Sequence, residues 1–270
     1  MGGSINSIPK IMGILNGTPD SFFQGSRIDN NLTNNTKYKY ADIVDIGFES
    51  SRPGAFPLSE KDEISRFDHF LAKYPSIHHT LSIDTYKPSV ARLALENGFY
   101  MINDVMGGGK NGEMLEMASF YNCPIVIMHM KGDPSTMQYK PFYDNIIDDL
   151  LYYFEYKIKS AKAIGIEENK IILDPGIGFG KRVIDNDIII NNINKLKTFG
   201  LPVLIGVSRK SFLSIADDSS EDRLPASLGA TIISVQNGAD IIRTHDIEDT
   251  YRMLSVACRI QQINYQESIF

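Results

Sequence analysis

Eight short apolar runs recur along the chain, each followed by a polar turn and then a helical pattern. They fall at 10–16, 42–47, 80–84, 100–105, 124–129, 170–175, 202–207 and 239–246. Most are rich in Ile, Val and Leu without alternation, as expected of parallel strands covered on both faces. The segments between them read as helices. In 143–164, residues Tyr143, Ile147, Leu150, Phe154, Ile158 and Ala161 form one apolar stripe at steps of three or four. Residues 59–74 open on Ser59 with Asp62 and Glu63 behind it, an N-cap with acids in the first turn. Residues 88–97 begin with a proline and stop at Gly98. Further helices are expected at 185–199, 224–237 and 247–263. Residues 28–41 are Asn-rich and poorly amphipathic, so the first helix should be short or irregular.

Eight strands in βα alternation within 270 residues point to a single-domain α/β fold, the TIM (β/α)8 barrel. A doubly wound open sheet uses the same alternation and is the alternative. The barrel should occupy 10–270, with 1–9 an N-terminal extension or a linker remnant. A net charge of −6 argues against duplex nucleic acid as the main partner. No run of about 18 apolar residues is long enough to span a membrane. Two cysteines, Cys123 and Cys258, are too few for a disulfide framework and fit a reducing, cytoplasmic setting.

In a barrel the strand C-termini form the active rim, and here they carry polar residues. The runs end at or lead into Asn16, Glu49 to Gly54, Asp84, Asn103-Asp104, His129, Asp174, Ser208-Arg209-Lys210 and Arg243-Thr244-His245. Any single Asp after a strand is most often a cap or turn residue. Asp104 can be read as a cap of its own loop, and His129, between two methionines, as a packed, hydrogen-bonded histidine. Convergence on one rim is the stronger signal. Asp84, Asn103, Asp174 and Lys210 offer acceptors, an amide and a cation, which suit a flat heterocycle with an amidine-like edge. Arg52, Arg243, His245 and Asn16 suit a phosphate or pyrophosphate.

Other motifs carry less. The stretch 175–181 is neither a P-loop nor a dinucleotide fingerprint, because its glycine spacing is wrong and Arg182 stands where Ser or Thr is needed. Gly107-Gly108-Gly109 reads as a flexible turn before an anion cradle. No cluster has zinc spacing. Ser50, Ser51, Ser208 and Ser211 lack an evident His/Asp partner for nucleophilic work.

Eight segments in order carry a resemblance to a known family. They are ILNGTPDSF (14–22), DIGFESSRPGA (45–55), SIDTYKPSVARLALENG (82–98), INDVMGG (102–108), PIVIMHMKGDPSTMQ (124–138), LDPGIGFGK (173–181), LIGVSRKSFL (204–213) and ADIIRTHD (239–246). Over about 10–260 the chain resembles the dihydropteroate synthases. The resemblance implies a TIM barrel, usually homodimeric. It also implies condensation of 6-hydroxymethyl-7,8-dihydropterin pyrophosphate with p-aminobenzoate to 7,8-dihydropteroate and pyrophosphate, with Mg²⁺. It assigns pterin binding to Asp84, Asn103, Asp174 and Lys210, with Met128, Phe179, Gly206 and Arg243 around the ring. Pyrophosphate falls to Asn16, Ser51, Arg52, Arg243 and His245, with Asn16 also the Mg²⁺ contact. Phe22, Arg52, Pro53, Phe179, Lys210 and Ser211 match the aminobenzoate surroundings. Asp84, Lys210, Arg243 and His245 would be the catalytic groups. Such enzymes are sulfonamide targets, and some are fused to an upstream folate-pathway domain.

The chain departs from the family pattern at several places. Phe23-Gln24-Gly25-Ser26 replaces the usual Ser-Asp-Gly-Gly, so the first loop lacks the family's acid and one of its glycines. Gly17 replaces a β-branched residue, Phe48 a glycine, Ser51 a threonine and Ile177 a phenylalanine. One rival reading is a non-catalytic pterin-binding paralogue, supported only by the altered first loop. Another is a methyltetrahydrofolate–corrinoid methyltransferase, which would not need Ser208-Arg209-Lys210 or the Arg243 and His245 pair.

Overall fold

The structure is a computed structural model that describes residues 8–17, 38–49, 57–74, 79–109, 111–132, 137, 139–215 and 219–262. Eight parallel strands are present: β1 Lys10–Asn16, β2 Ile43–Gly47, β3 Thr80–Asp84, β4 Met101–Asp104, β5 Ile125–Met128, β6 Ile171–Asp174, β7 Leu204–Ile205 and β8 Ile241–Thr244. They form one sheet in the order β6-β5-β4-β3-β2-β1-β8-β7. A parallel bridge between Leu173 and Val203 joins β6 to the residue preceding β7, and the Leu173 N–H donates to Pro202 O at 2.9 Å. That contact brings the two ends of the sheet together, so the eight-stranded barrel holds and the open doubly wound alternative falls. Each expected run contains its strand, and β7 is the most shortened.

The helices among the described residues are α1 Glu60–Lys73, α2 Pro88–Glu96, α3 Glu113–Phe120, α4 Ile146–Ala163, α5 Val183–Asn191, α6 Ile193–Leu196, α7 Leu224–Gln236 and α8 Ile247–Gln262. Ser59 caps α1 as its sequence suggests, its Oγ accepting the Asp62 N–H at 3.2 Å. On α4, Leu150, Phe154 and Ala161 are buried along one stripe. One sequence expectation needs correction. The helix read at 185–199 starts earlier and breaks at Asn192, whose φ of −124° leaves the helical range, and the segment finishes in a 3-10 turn. Asn is a poor helix former, and two stand together at 191–192. Helix α3 fills the interval between the fourth and fifth runs, which reads as helical without stated bounds, and it buries Met114, Leu115, Met117 and Ala118 on one face. The expected first helix at 28–41 lies mostly outside the described residues.

Side chains alternate between the faces of each strand, and this decides which strand-end residues reach the interior. Met12, Ile43, Met101, Val126, Ile172, Leu204 and Ile241 form a separate apolar cluster, the floor of the barrel. Two residues further along their strands come Ile14, Asp45, Asn103, Met128, Asp174, Gly206 and Arg243, on the same face. Out-facing partners such as Ile46, Ile83, Ile102, Ile127, Leu173 and Ile242 belong to the main core against the helices. The interior therefore changes from apolar to polar within one pleat, near the C-terminal ends of the strands.

Candidate active site

Four strands meet through one hydrogen-bonded network above that floor. Asp45 on β2 is fully buried, and its Oδ2 accepts from Asn103 Nδ2 on β4 at 2.9 Å and from Arg243 Nε on β8 at 2.7 Å. Arg243 Nη2 donates to Asp84 Oδ2 on β3 at 2.6 Å. Burial pushes the Asp84 carboxyl up to about 7; Arg243 opposes the rise, while Asp45, Glu63 and Asp104 add to it. Burial works against the Arg243 cation, yet its two carboxylate partners hold its proton more firmly than usual. Gly47 keeps this rim open, because a Cβ there would sit 3.3 Å from Asp84 Cβ.

The opposite wall is built from turns. Asp174 Oδ1 accepts the Gly176 N–H at 2.7 Å, and burial raises its carboxyl. Gly176 has φ +67°, and a Cβ there would lie 2.0 Å from His129 O, so only glycine fits. Lys210 Nζ donates to Ile177 O and lies 4.5 Å from the centroid of the Phe179 ring. Burial lowers Lys210 to about 8, with Asp174 opposing the fall. Lys181 is buried with Nζ 3.1 Å from His129 Nδ1, 3.2 Å from His129 O and 3.0 Å from Phe179 O. Burial brings Lys181 down to about 7 and His129 to about 3, so the imidazole is neutral near physiological pH.

The turn after β7 sends two adjacent cations in different directions. Arg209 adopts φ +56°, a left-handed conformation that costs a non-glycine residue roughly 1–2 kcal/mol. Its guanidinium offsets that cost with a two-pronged pair to Asp246, Nε to Oδ2 at 2.9 Å and Nη2 to Oδ1 at 2.5 Å. Lys210 is thereby turned back toward Asp174. Ser208 Oγ accepts the His245 N–H at 3.2 Å and lies 3.0 Å from His245 Nδ1. The sequence left Ser208 without a histidine partner, and the fold supplies one. These contacts join the two turns that carry Lys210 and His245.

Several expected site residues thus converge: Asp84, Asn103, Asp174, Lys210 and Arg243 directly, with Met128 and Gly206 on the same inner faces and Phe179 against Lys210. His245 sits beside Ser208, and Asn16 is exposed at the end of β1. Ser211 is exposed at the start of a 3-10 turn. Phe22, Phe23, Ser51, Arg52 and Pro53 lie outside the described residues. Asp104 faces away, one residue out of phase with Asn103. It accepts the N–H groups of Met106, Gly108 and Gly109 at 2.8, 2.7 and 3.0 Å, so the triple glycine serves its own loop and does not cradle an anion. Asp45 and Lys181 were missed. A charged residue inside the otherwise apolar run IVDIG was the available signal for Asp45.

The model of a family described as "Pterin binding enzyme" matches residues 12–245. Dihydropteroate synthase of Escherichia coli (strain K12) is 36% identical over 258 residues, covering 93% of this chain and 91% of that protein. The structure of the Yersinia pestis dihydropteroate synthase with a sulfonamide drug complex superposes with a TM-score of 0.84 at 35% identity, covering 94% of this chain and 95% of that one. The Xanthomonas albilineans dihydropteroate synthase with 4-aminobenzoic acid gives 0.82 at 33%, covering 95% and 94%. The chain belongs to the dihydropteroate synthase family. Dihydropteroate synthases are transferases of folate biosynthesis, and the barrel mouth described above is where a transferase of this fold works. No helix among the described residues is long and apolar enough to cross a membrane.

Proposed function

We propose that the chain condenses 6-hydroxymethyl-7,8-dihydropterin pyrophosphate with p-aminobenzoate at this mouth, releasing 7,8-dihydropteroate and pyrophosphate. The carrying observation is the polar set on one rim: Asp84 paired directly with Arg243 and Asn103 tied to Arg243 through Asp45, with Asp174 and Lys210 on the opposite wall. Asp84, Asn103 and Asp174 accept or donate along the pterin edge, and Lys210 donates to its carbonyl side. Met128, Gly206 and Phe179 supply the apolar surround. Arg243 and His245, with Ser51 and Arg52, take the pyrophosphate. Phe22, Pro53, Arg52, Phe179, Lys210 and Ser211 surround the aminobenzoate.

Reaction begins as the bond between the pterin methylene carbon and the pyrophosphate oxygen breaks, its electron pair leaving with oxygen. The electron-rich ring carries the resulting positive charge, and the Asp84 carboxylate stabilises it. The aniline nitrogen then donates its lone pair to the methylene carbon and releases a proton to water. No enzyme nucleophile is needed, so positioning and fixed charge supply most of the rate. Asn16 offers a hard amide oxygen at the mouth, and no group of three His, Cys, Asp or Glu among the described residues could hold a metal. That donor set fits Mg²⁺, which is commonly held by one or two protein oxygens and by substrate phosphates. When bound there, the ion would neutralise pyrophosphate charge.

The working form is a homodimer. The neighbouring helices α5 and α7 expose Val183, Ile184, Ile188 and Ile233, more apolar surface than a lone barrel needs. The unpaired buried thiols of Cys123 and Cys258 fit a cytoplasmic enzyme. Sulfonamides would compete in the aminobenzoate region.

Mixing the protein with dihydropterin pyrophosphate, p-aminobenzoate and Mg²⁺ tests the activity. Pyrophosphate and dihydropteroate should appear in equal amounts. Neither product despite measurable pterin binding would overturn the reading in favour of the non-catalytic paralogue.

A further inference from the structure

Asp45 occupies a place that chain statistics disfavour. It is fully buried in a strand whose other residues are all buried, and a lone carboxylate there is costly unless paired. Its Oδ2 carries two partners from different strands, the Asn103 amide and the Arg243 Nε. Its Oδ1 has no hydrogen-bond partner in the described structure. Arg243 is shared: one edge rests on Asp45 and Nη2 on Asp84.

We infer that Asp45 is the positioning residue of the pterin pocket, fixing the Asn103 amide and holding Arg243 while Asp84 is given up to the ligand. The argument rests on the reading of Asp84 and Asn103 as pterin contacts. The hydrogen bond to Asp45 engages the amide nitrogen of Asn103. The amide plane is thereby set, and its carbonyl oxygen is left for an N–H of the heterocycle. Arg243 has two carboxylates and needs only one. When the amidine-like edge of the pterin takes Asp84, Nη2 comes free, yet the guanidinium stays paired through Nε. It can then face the pyrophosphate without being left as an uncompensated buried charge. A residue placed only for stability would not be expected to link the pterin amide to the pyrophosphate cation.

The charge on Asp45 also bears on Asp84. The charged groups close enough to act on Asp84 are Arg243 from β8, Asp45 from β2, Glu63 from α1 and, from the outer face of β4, Asp104. Arg243 lowers the Asp84 carboxyl, and the three acids raise it above its ordinary range together with burial. Removing the Asp45 charge takes away one of those raising influences and frees Arg243 to pair with Asp84 alone. Both changes lower the Asp84 carboxyl, so its ionisation would move to lower pH.

The test is calorimetric binding of dihydropterin pyrophosphate to the wild type and to Asp45→Asn between pH 5 and 9, with steady-state kinetics alongside. Loss of a charge-assisted hydrogen bond predicts affinity for the pterin ester weaker by about tenfold or more. The pH midpoint of binding should lie at lower pH in Asp45→Asn than in the wild type, following the Asp84 carboxyl. The KM for aminobenzoate should stay within about twofold, a change too small to signal a lost contact. An Asp45→Asn protein that melts normally and binds with wild-type affinity and midpoint overturns the inference while leaving the pterin reading intact. Absence of binding by the wild type overturns the pterin reading itself. If Asp45→Asn does not fold, a crystal structure of the wild type with dihydropterin pyrophosphate decides. Arg243 Nε should remain on Asp45 with Nη2 released from Asp84, and departure of Arg243 from Asp45 would refute the role.

Discussion

At the scale of single residues, two departures from the family pattern turn out to be one. Gly17 stands where a β-branched residue is usual, and Phe48 where glycine is usual. A Cβ on Gly17 would lie 2.4 Å from Phe48 Cδ1, well inside contact distance. Gly17 does not adopt a positive φ, so its backbone alone would accept a side chain. The volume has moved from one strand end to its neighbour, and Phe48 uses it to pack edge-on against Phe67 and Phe70 with centroids 5.6 Å away in each case. Gly17→Val should therefore destabilise the protein by roughly 1–3 kcal/mol through overpacking. Phe48→Ala should cost about 3–5 kcal/mol through the cavity it leaves. Denaturant unfolding of both single variants and the double variant measures the coupling. The double variant should lose at least about 0.5 kcal/mol less than the sum of the two. Strict additivity would show that the two positions are independent. Neither residue betrays this coupling in the sequence, because they lie on different strands and only the β1–β2 pairing brings them together.

At the scale of elements, the polar rim depends on turns held by buried side chains. Lys181 is the clip for the turn at 175–180, since its ammonium joins the end of β5 to Phe179. Lys181→Met keeps the volume and removes the donor, leaving two backbone carbonyls short of a partner. The turn should loosen at Phe179, raising the KM for aminobenzoate by about tenfold, roughly 1.4 kcal/mol, with a smaller change in pterin affinity. Steady-state kinetics beside pterin calorimetry would check this, and an equal loss in both would show that the clip serves the whole mouth. The strand-end residues were legible because a polar group closing a buried apolar run is conspicuous. What the sequence does not display is which of two neighbours faces inward. Asn103 and Asp104 look alike there, and only the register of β4 turns one into the pocket and the other onto its own loop.

At the scale of the whole molecule, barrel closure creates the site. Asp45, Asp84, Asn103 and Arg243 come from four strands spread over most of the chain, and the Asp45–Arg243 pair spans 198 residues. Parallel strands with right-handed crossovers bring such distant groups together by topology alone. The eight-run rhythm was therefore enough to foresee one convergent mouth, though not the network inside it. Three buried or half-buried acids (Asp45, Asp84 and Asp174) meet three cations (Arg243, Lys210 and Lys181), in a chain whose net charge is −6. The pocket is balanced locally, and it holds charge in fixed places. Ser208, a described hydroxyl beside a histidine, also accepts a backbone N–H and faces Nδ1 of that ring.

The central claim is that this mouth works by stabilising separated charge, with the pterin–oxygen bond breaking before aminobenzoate attacks. Positional isotope exchange tests it most directly. Dihydropterin pyrophosphate carrying ¹⁸O in its ester oxygen would be incubated with the protein and Mg²⁺, without aminobenzoate, and then recovered. The account predicts that the label migrates to the non-bridging oxygens of the same phosphorus, because pyrophosphate departs, rotates and returns. A label that stays in the ester position, with pyrophosphate released only when aminobenzoate is present, would contradict it and show that the two substrates react in a single concerted displacement.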